Sequence, residues 1–217
     1  MKTLKSSYLL LFLLASTVFS DSVEEANEYM DLLLGNLRND PVIAKKVEPI
    51  HVPNVRENTF EGRNIYIEGL SDLYRLEDSH VEAKGDKTYV TSKLGVAKIK
   101  FNMDYKVKNP LLPLWISGKA EGKIDHVTVR CVVGVSSLDG TGKVEEFIVT
   151  DFGGFKVTKV RGATIAFNWL VTIIANVMFN HSKGMVIEGI ENGVSKLLQE
   201  KLSEVKITSR KLNSDRR

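Results

Sequence analysis

The chain has 217 residues, of which 43% are hydrophobic and one is cysteine, and its formal net charge at pH 7 is +3. A charge this small argues against a general nucleic-acid binder, which would need a basic surplus to neutralise phosphates. The single cysteine, Cys131, excludes a fold held by internal disulfide bonds, so a hydrophobic core must stabilise the protein.

The first twenty residues have the layout of a cleaved secretory signal peptide. A positively charged start precedes an apolar run over residues 8–15, and Val18 and Ser20 supply small residues for the cleavage site. The apolar run is shorter than the roughly 20 residues that span a bilayer, although an uncleaved anchor is the alternative. We therefore predict a secreted protein with a signal peptide at 1–20, one domain at 21–205 and a basic tail at 206–217.

An amphipathic helix is predicted at the start of the domain. Ser22 and Glu25 have the spacing of a capping box, and apolar residues then recur at helical spacing until Asp40-Pro41. The segment that follows, residues 41–53, contains three prolines and is predicted to be an extended connector.

From Arg63 onward the apolar residues alternate with polar ones, which predicts β-strands. The clearest strand covers residues 97–107, where Phe101 and Met103 belong to the apolar face and lysines occupy the other. Upstream of this strand the apolar parity is reversed, and Gly95 lies at the switch. This position predicts a bulge that bends the strand.

Two further long strands are predicted over residues 116–135 and 144–160. Alternate residues from Val127 to Val135 share one apolar face, which includes Val129 and Cys131. Asp139 to Gly142 has the composition of a hairpin turn, and Gly153-Gly154 interrupts the return strand. Strands approaching about 20 residues, where about 5 or 6 is usual, must coil to fit one small domain.

The C-terminal third is predicted to be helical. Residues 163–179 are apolar except for a stripe at every fourth position, formed by Thr164, Asn168, Thr172 and Asn176. A helix that is apolar on most sides is wrapped by protein or lies in a membrane, and the stripe and the short length favour wrapping. A break is predicted near 181–184, followed by a second amphipathic helix. Asn180 begins a glycosylation sequon, with an unmodified polar break as the alternative.

Several short motifs along the chain resemble those of the group 7 mite allergens. They are Glu48-Pro49-Ile50-His51-Val52-Pro53, Arg63-Asn64-Ile65, Gly69-Leu70, Arg75, Asp78 with Val81, Gly95-Val96 and Asp104-Tyr105-Lys106. Those allergens are similar to juvenile-hormone-binding and takeout proteins, within the tubular lipid-binding group that includes bactericidal permeability-increasing proteins. The resemblance implies an α+β super-roll, a long curved antiparallel sheet wrapped around a long C-terminal helix, with an apolar tunnel or cleft. The N-terminal cysteine pair usual in takeout-like chains is missing, so hormone binding is not carried over.

The sequence contains no convincing signature of an enzyme, a cofactor or a metal site. Asp151-Phe152-Gly153 spells the kinase metal-binding tripeptide, but no glycine-rich phosphate loop accompanies it. The four histidines lack metal-ligand spacing, and His126 is predicted to be exposed opposite the valine face. Cys131 shares that valine face, so it is predicted to be a buried small hydrophobe rather than a nucleophile.

We therefore expect a carrier of a lipid-like small molecule, acting as a monomer or weak homodimer. The predicted ligand-binding residues combine inward strand positions with the long helix: Phe101, Met103, Val129, Phe147, Trp169, Ile173 and Val177. The polar stripe either contributes polar contacts at one end of the cavity or faces solvent at a gap in the sheet.

The alternative is a defence protein that recognises microbial lipid or membrane surfaces. The loop from Pro110 to Trp115, rich in leucine and tryptophan, suits a membrane interface, unless it folds back on the core. The basic tail either contacts anionic lipid or is a solvated terminus.

Overall fold

The computed structural model describes residues 23–109, 114–136, 138–162 and 168–203. The signal peptide, the capping serine Ser22, Thr164, residues 110–113 and the basic tail lie outside this range. The predicted amphipathic helix is α1, Val23–Arg38. Its inner face is the predicted one, with Ala26, Met30, Leu33, Leu34 and Leu37 buried.

The segment after α1 is not the predicted extended connector, because it begins with a short helix, α2, Pro41–Val47. Asp40 caps this helix, since its Oδ1 accepts a hydrogen bond of 3.0 Å from the Val42 N–H. Pro41 stands at the first helical position, where a backbone N–H would have no partner within the helix. Asp40-Pro41 therefore ends one helix and starts the next.

Eleven antiparallel strands lie within the described residues. Their bounds are β1 Ile50–Val52, β2 Val55–Glu57, β3 Phe60–Glu68, β4 Leu73–Arg75, β5 His80–Lys84, β6 Lys87–Val96, β7 Lys100–Lys108, β8 Trp115–Ile124, β9 Val127–Ser136, β10 Gly142–Phe152 and β11 Phe155–Arg161. The six-stranded sheet has the order β1-β3-β7-β8-β11, with β2 paired to β3. The five-stranded sheet has the order β10-β9-β6-β4, with β5 paired to β6.

The two sheets are continuous with each other because the chain crosses between them four times. The crossings lie at residues 69–72, 97–99, 125–126 and 153–154, and we call them the waist. Each predicted long strand is thus a pair of shorter strands on either side of the waist, β8 with β9 and β10 with β11. The strands divide where they bend, and Gly153-Gly154 does mark one such bend. The predicted α+β super-roll is confirmed.

The predicted strand faces are confirmed, but the position of one switch differs. Phe101 and Met103 on β7 are at most 2% exposed, and the valine face of β9 is buried throughout. The switch in parity lies at Lys98, which has a φ of +58°, and not at Gly95. Gly95 instead lies beneath Tyr74, whose ring would come within 2.6 Å of a Cβ at that position.

The predicted break in the C-terminal helix at 181–184 is wrong. The helix, α3, runs without interruption over Asn168–Ser203, with a π-helical segment at Gly189–Val194. Ser182 is fully buried, so it belongs to the packed face of the helix. No atom lies near a Cβ built on Gly184, so contacts with the rest of the protein do not interrupt the helix there. The buried face of the helix is packed both before and after this segment, and this packing outweighs the roughly 1 kcal/mol by which glycine disfavours a helix.

Candidate functional site

The six-stranded sheet curls around the first half of α3. Its two edge strands, β1 and β11, both contact this helix. A sheet whose opposite edges reach one helix must be strongly coiled, as the predicted strand lengths required. The remainder of α3 contacts β10 and α2, while α1 contacts β4 and β5 of the other sheet.

The first half of α3 has one buried side and one side open to solvent. Its buried residues are Leu170, Ile174, Val177, Met178, Ser182 and Val186. The polar stripe of Asn168, Thr172 and Asn176 is exposed, which agrees with the gap in the sheet and not with a place inside a cavity. On the open side of this half, Phe179 is 38% exposed. By length and composition alone α3 could span a membrane, but a stripe buried along the helix is also typical of a core helix.

A row of apolar side chains follows the boundary between the buried and open sides. Trp169, Ile173, Val177 and Met185, which we call the seam, recur at multiples of four residues and so form a stripe that drifts around the helix from one end to the other. His181 belongs to the same series, and its Nε2 lies 3.1 Å from Oε1 of Glu57 on β2. This contact places the stripe near residue 181 at the β1–β2 edge. Trp169, Ile173 and Met185 pack against the core while remaining partly exposed.

The seven predicted ligand-binding residues lie in one continuous core but on both sides of the waist. Phe101 and Met103 belong to the six-stranded sheet, which curls around the half of α3 that carries Trp169, Ile173 and Val177. Val129 and Phe147 belong to the five-stranded sheet. The exposed fractions are 0% for Phe101, 2% for Met103, 0% for Val129, 6% for Phe147 and 5% for Val177. Trp169 and Ile173 are partly buried. The seven are therefore divided into a group of five and a group of two.

The two principal surface cavities are lined by other residues. The larger, of about 760 Å³, lies between β10 and the second half of α3 and is lined by residues with polar side chains and by Val144. There Gln199 Oε1 accepts a hydrogen bond of 2.8 Å from Val144 N–H, and Glu191 Oε1 accepts one of 2.8 Å from Val149 N–H. These bonds cover the free edge of β10, a common way to protect an edge strand. The smaller cavity, of about 370 Å³, lies at the waist.

The reactive side chains Cys131, Tyr29 and His126 are buried or paired with a neighbouring residue. Cys131 is fully buried, and burial raises the pKa of its thiol to about 12, so it is protonated at neutral pH. Burial also raises the pKa of Tyr29. His126 is exposed as predicted, with Nε2 3.1 Å from Oδ2 of Asp151. Among the described residues, no group of three or more His, Cys, Asp or Glu side chains could hold a metal ion.

The visible part of the predicted loop at the β7–β8 hairpin is open to solvent. Leu114 is 45% exposed and Trp115 is 42% exposed. The Nζ of Lys106 lies 5.0 Å from the centre of the Trp115 ring, a cation–π distance. The neighbouring residues 110–113 lie outside the described range.

The motifs that carry the sequence resemblance hold the fold together. The carboxylate of Glu48 accepts hydrogen bonds from the backbone N–H groups of Gly69 and Ser71, which joins two distant motifs at the waist. Arg75 binds Asp31 of α1 through two hydrogen bonds, of 3.1 and 2.7 Å. Sequence reasoning quoted these residues without assigning them this structural role.

The chain is similar to one protein family and to solved structures. The group 7 allergen family model matches residues 25–202. The crystal structure of Takeout 1 from Epiphyas postvittana is 15% identical, with a TM-score of 0.44, over 83% of this chain and 93% of that one. A lipopolysaccharide binding protein is 15% identical, with a TM-score of 0.38, over 84% of this chain and 38% of that one. No curated protein gives a significant match.

Proposed function

Because this chain belongs to the group 7 allergen family, we propose that it is a secreted protein that sequesters or carries a hydrophobic, lipid-like ligand. The observation that supports this proposal most directly is the seam. A curved sheet meets a long apolar helix at both edges, yet three seam residues pack against the core while remaining partly exposed. Apolar surface left accessible beside a core is typical of ligand-binding sites.

The proposed site uses the predicted residues in two layers. Trp169 and Ile173 make the first contact with the ligand at the seam, while Phe101, Met103 and Val177 lie beneath them. Val129 and Phe147 form the continuation of this apolar surface across the waist. Since these inner residues are nearly fully buried, uptake requires the first half of α3 to move away from the sheet.

The test is a series of fluorescent fatty acids of increasing chain length. Each CH₂ removed from water contributes about 0.8 kcal/mol, so affinity should rise with length until the site is full. His126→Ala and Cys131→Ala are the controls, and neither should change uptake. A flat response to length would refute a hydrophobic site, and loss of uptake in Cys131→Ala alone would revive an enzymatic role.

Organic extraction of the secreted protein followed by mass spectrometry would identify a ligand that co-purifies. Sequencing of its N-terminus tests the signal peptide, with Asp21 expected as the first residue. Retention of residues 8–15 in the secreted protein would contradict that expectation.

The second candidate function is recognition of a lipid surface through the β7–β8 hairpin. It is favoured by the exposure of Leu114 and Trp115, because leucine and tryptophan side chains partition into membrane interfaces. Replacing both residues with serine should abolish sedimentation with lipid vesicles. Leu138→Ser, at the β9–β10 hairpin on the far side of the waist, is the matched control because Leu138 is 83% exposed. Equal sedimentation of both variants would refute this function.

A further inference from the structure

A row of lysines crosses the outer face of the six-stranded sheet at the waist. Lys100 on β7 is the register partner of Lys123 on β8, and Lys123 is in turn the partner of Lys156 on β11. All three are exposed, whereas the next residues on β7 and β8, Phe101 and Ile124, are buried. Directly opposed residues of antiparallel strands have their Cβ atoms about 5 Å apart on the same face, and like charges there are destabilising.

Only part of this positive charge is neutralised by nearby carboxylates. Lys156 Nζ lies 2.8 Å from Oδ1 of Asp125, and this hydrogen bond lowers the pKa of Asp125. Lys100 and Lys123 form no hydrogen bond or ion pair through their side chains within the described part of the chain. Glu68, the partner of Lys100 on β3, does not form an ion pair with it. Two neighbouring ammonium groups are thus left facing solvent.

The other charged groups around this place are already paired with each other. Lys98 Nζ lies 3.4 Å from Oδ2 of Asp72. The ring of His126 contacts Asp151 at 3.1 Å. Asp72 and Asp151 are therefore engaged elsewhere. Asp125, which lines the cavity, is shared between its hydrogen bond from Lys156 and the charges of His126 and Lys123, so it balances the lysine pair only in part.

The lysine pair borders the waist cavity of about 370 Å³, which also has an apolar lining. This volume is near the lower end of the range for small-molecule sites. Tyr74 and Leu76 lie at the cavity with 43% and 42% of their surface exposed. The remaining apolar lining consists of Val96, Ala97, Ile99, Ile124 and Val127.

We propose that the waist cavity binds a small anionic amphiphile carrying a phosphate group. The phosphate accepts hydrogen bonds from the ammonium groups of Lys100 and Lys123, which relieves the repulsion between them. The apolar part of the molecule lies against Tyr74, Leu76 and the lining beneath. This site is separate from the seam, because it lies at the waist and no seam residue lines it.

The test uses octyl phosphate, titrated at low ionic strength against the full mature protein labelled with ¹⁵N. Amide shifts are expected at residues 95–100 and 123–128, and not at Trp169 or Ile173. Octanol and inorganic phosphate, each carrying one half of the chemistry, should bind at least about tenfold more weakly. If inorganic phosphate binds as tightly as octyl phosphate, the proposal that the ligand is an amphiphile is wrong. If octanol binds as tightly, the proposed role of the lysines is wrong.

The double variant K100Q/K123Q should weaken octyl phosphate binding by about tenfold or more, because two charge-assisted contacts are lost. K84Q/K159Q is the matched control, since it removes the same charge from exposed strand lysines that are distant from the cavity. An equal loss in both variants would show a non-specific charge effect and overturn the site. Trp169→Ala should leave octyl phosphate binding at the waist unchanged. The waist site can therefore be tested independently of the ligand site proposed at the seam.

Discussion

The two halves of α3 are attached to the protein in different ways. The first half, Asn168–Glu188, has a mainly apolar buried side and shows uncharged Asn168, Thr172 and Asn176 to solvent. The second half, from Gly189 to Ser203, carries charged and amide side chains that reach neighbouring elements. The first half makes fewer directional contacts, among them that of His181 with Glu57, so we expect it to move more readily than the second half.

The second half is held by directional contacts to β10, to α2 and to Asp40, the residue that caps α2. Glu191 and Gln199 accept hydrogen bonds from the backbone of β10. Glu200 Oε2 lies 2.7 Å from Nζ of Lys46 on α2, and Lys201 Nζ lies 3.0 Å from Oδ2 of Asp40. Such contacts specify one position, whereas apolar contacts are non-directional and tolerate sliding. We therefore expect ligand uptake to displace the first half while the second half stays attached.

The largest expected effects come from one buried residue in each half. Ile174→Ala and Leu198→Ala both remove side chains that are 0% exposed, so each should lower the free energy of unfolding by about 2–5 kcal/mol. Urea titration measures this loss. The comparison predicts that Ile174→Ala alters fatty acid uptake and Leu198→Ala does not. Similar changes in fatty acid uptake for both variants would contradict the proposed difference between the two halves of α3.

Trp169→Ala should have a smaller effect on stability and a clear effect on binding. A fully buried tryptophan would cost about 3–5 kcal/mol, but Trp169 is only partly buried, so the loss should fall below that range. Fluorescence titration should show weaker uptake at every chain length. Wild-type affinity in this variant would remove Trp169 from the site.

Gln199→Ala tests the attachment of the second half to β10. Its loss leaves the Val144 N–H without its protein acceptor, at a cost of about 1 kcal/mol because water can enter the adjoining cavity. Hydrogen exchange at the Val144 amide should accelerate. Lys196→Ala is the control, because Lys196 is exposed and lies about one helical turn from Gln199. This variant should leave hydrogen exchange at the Val144 amide unchanged.

The smallest expected effect is a dependence of stability on pH through Glu200. The hydrogen bond from Lys46 lowers the pKa of Glu200 below its ordinary value of 4.5. A lowered folded-state pKa contributes stability above the ordinary value, and this contribution is lost as pH falls through the lowered one. Glu200→Gln should therefore flatten the acid side of the stability profile. An unchanged profile would show that this surface pair contributes nothing measurable.

Local sequence patterns predicted the faces of the elements well. The alternation that placed Phe101 and Met103 inside, and the spacing that placed Met30 and Leu34 inside, depend on helix and strand periods alone. The family and the super-roll also followed from sequence, and both are confirmed. These features require no knowledge of distant contacts.

The features that sequence reasoning missed depend on tertiary contacts. The helix α2 is an exception, because its cap is a local contact between Asp40 and Val42. In contrast, α3 continues past Gly184 because its buried face is packed at both ends. The unpaired lysines at the waist could have been found only from strand register, which joins residues 23 positions apart. The assignment of the seven ligand-binding residues remains a prediction, because neither principal cavity includes them.

The sequon on α3 carries a consequence for the timing of biosynthesis. Asn180 is exposed, but the hydroxyl that completes the sequon belongs to Ser182, which is fully buried and directed at the sulfur of Met178. A glycosyltransferase can recognise the tripeptide only before α3 docks, so a sugar must be added during translocation or not at all. The fraction of molecules that carry a glycan would then record how quickly the C-terminal helix reaches its sheet. A variant that slows this docking should leave the secretory pathway more heavily glycosylated.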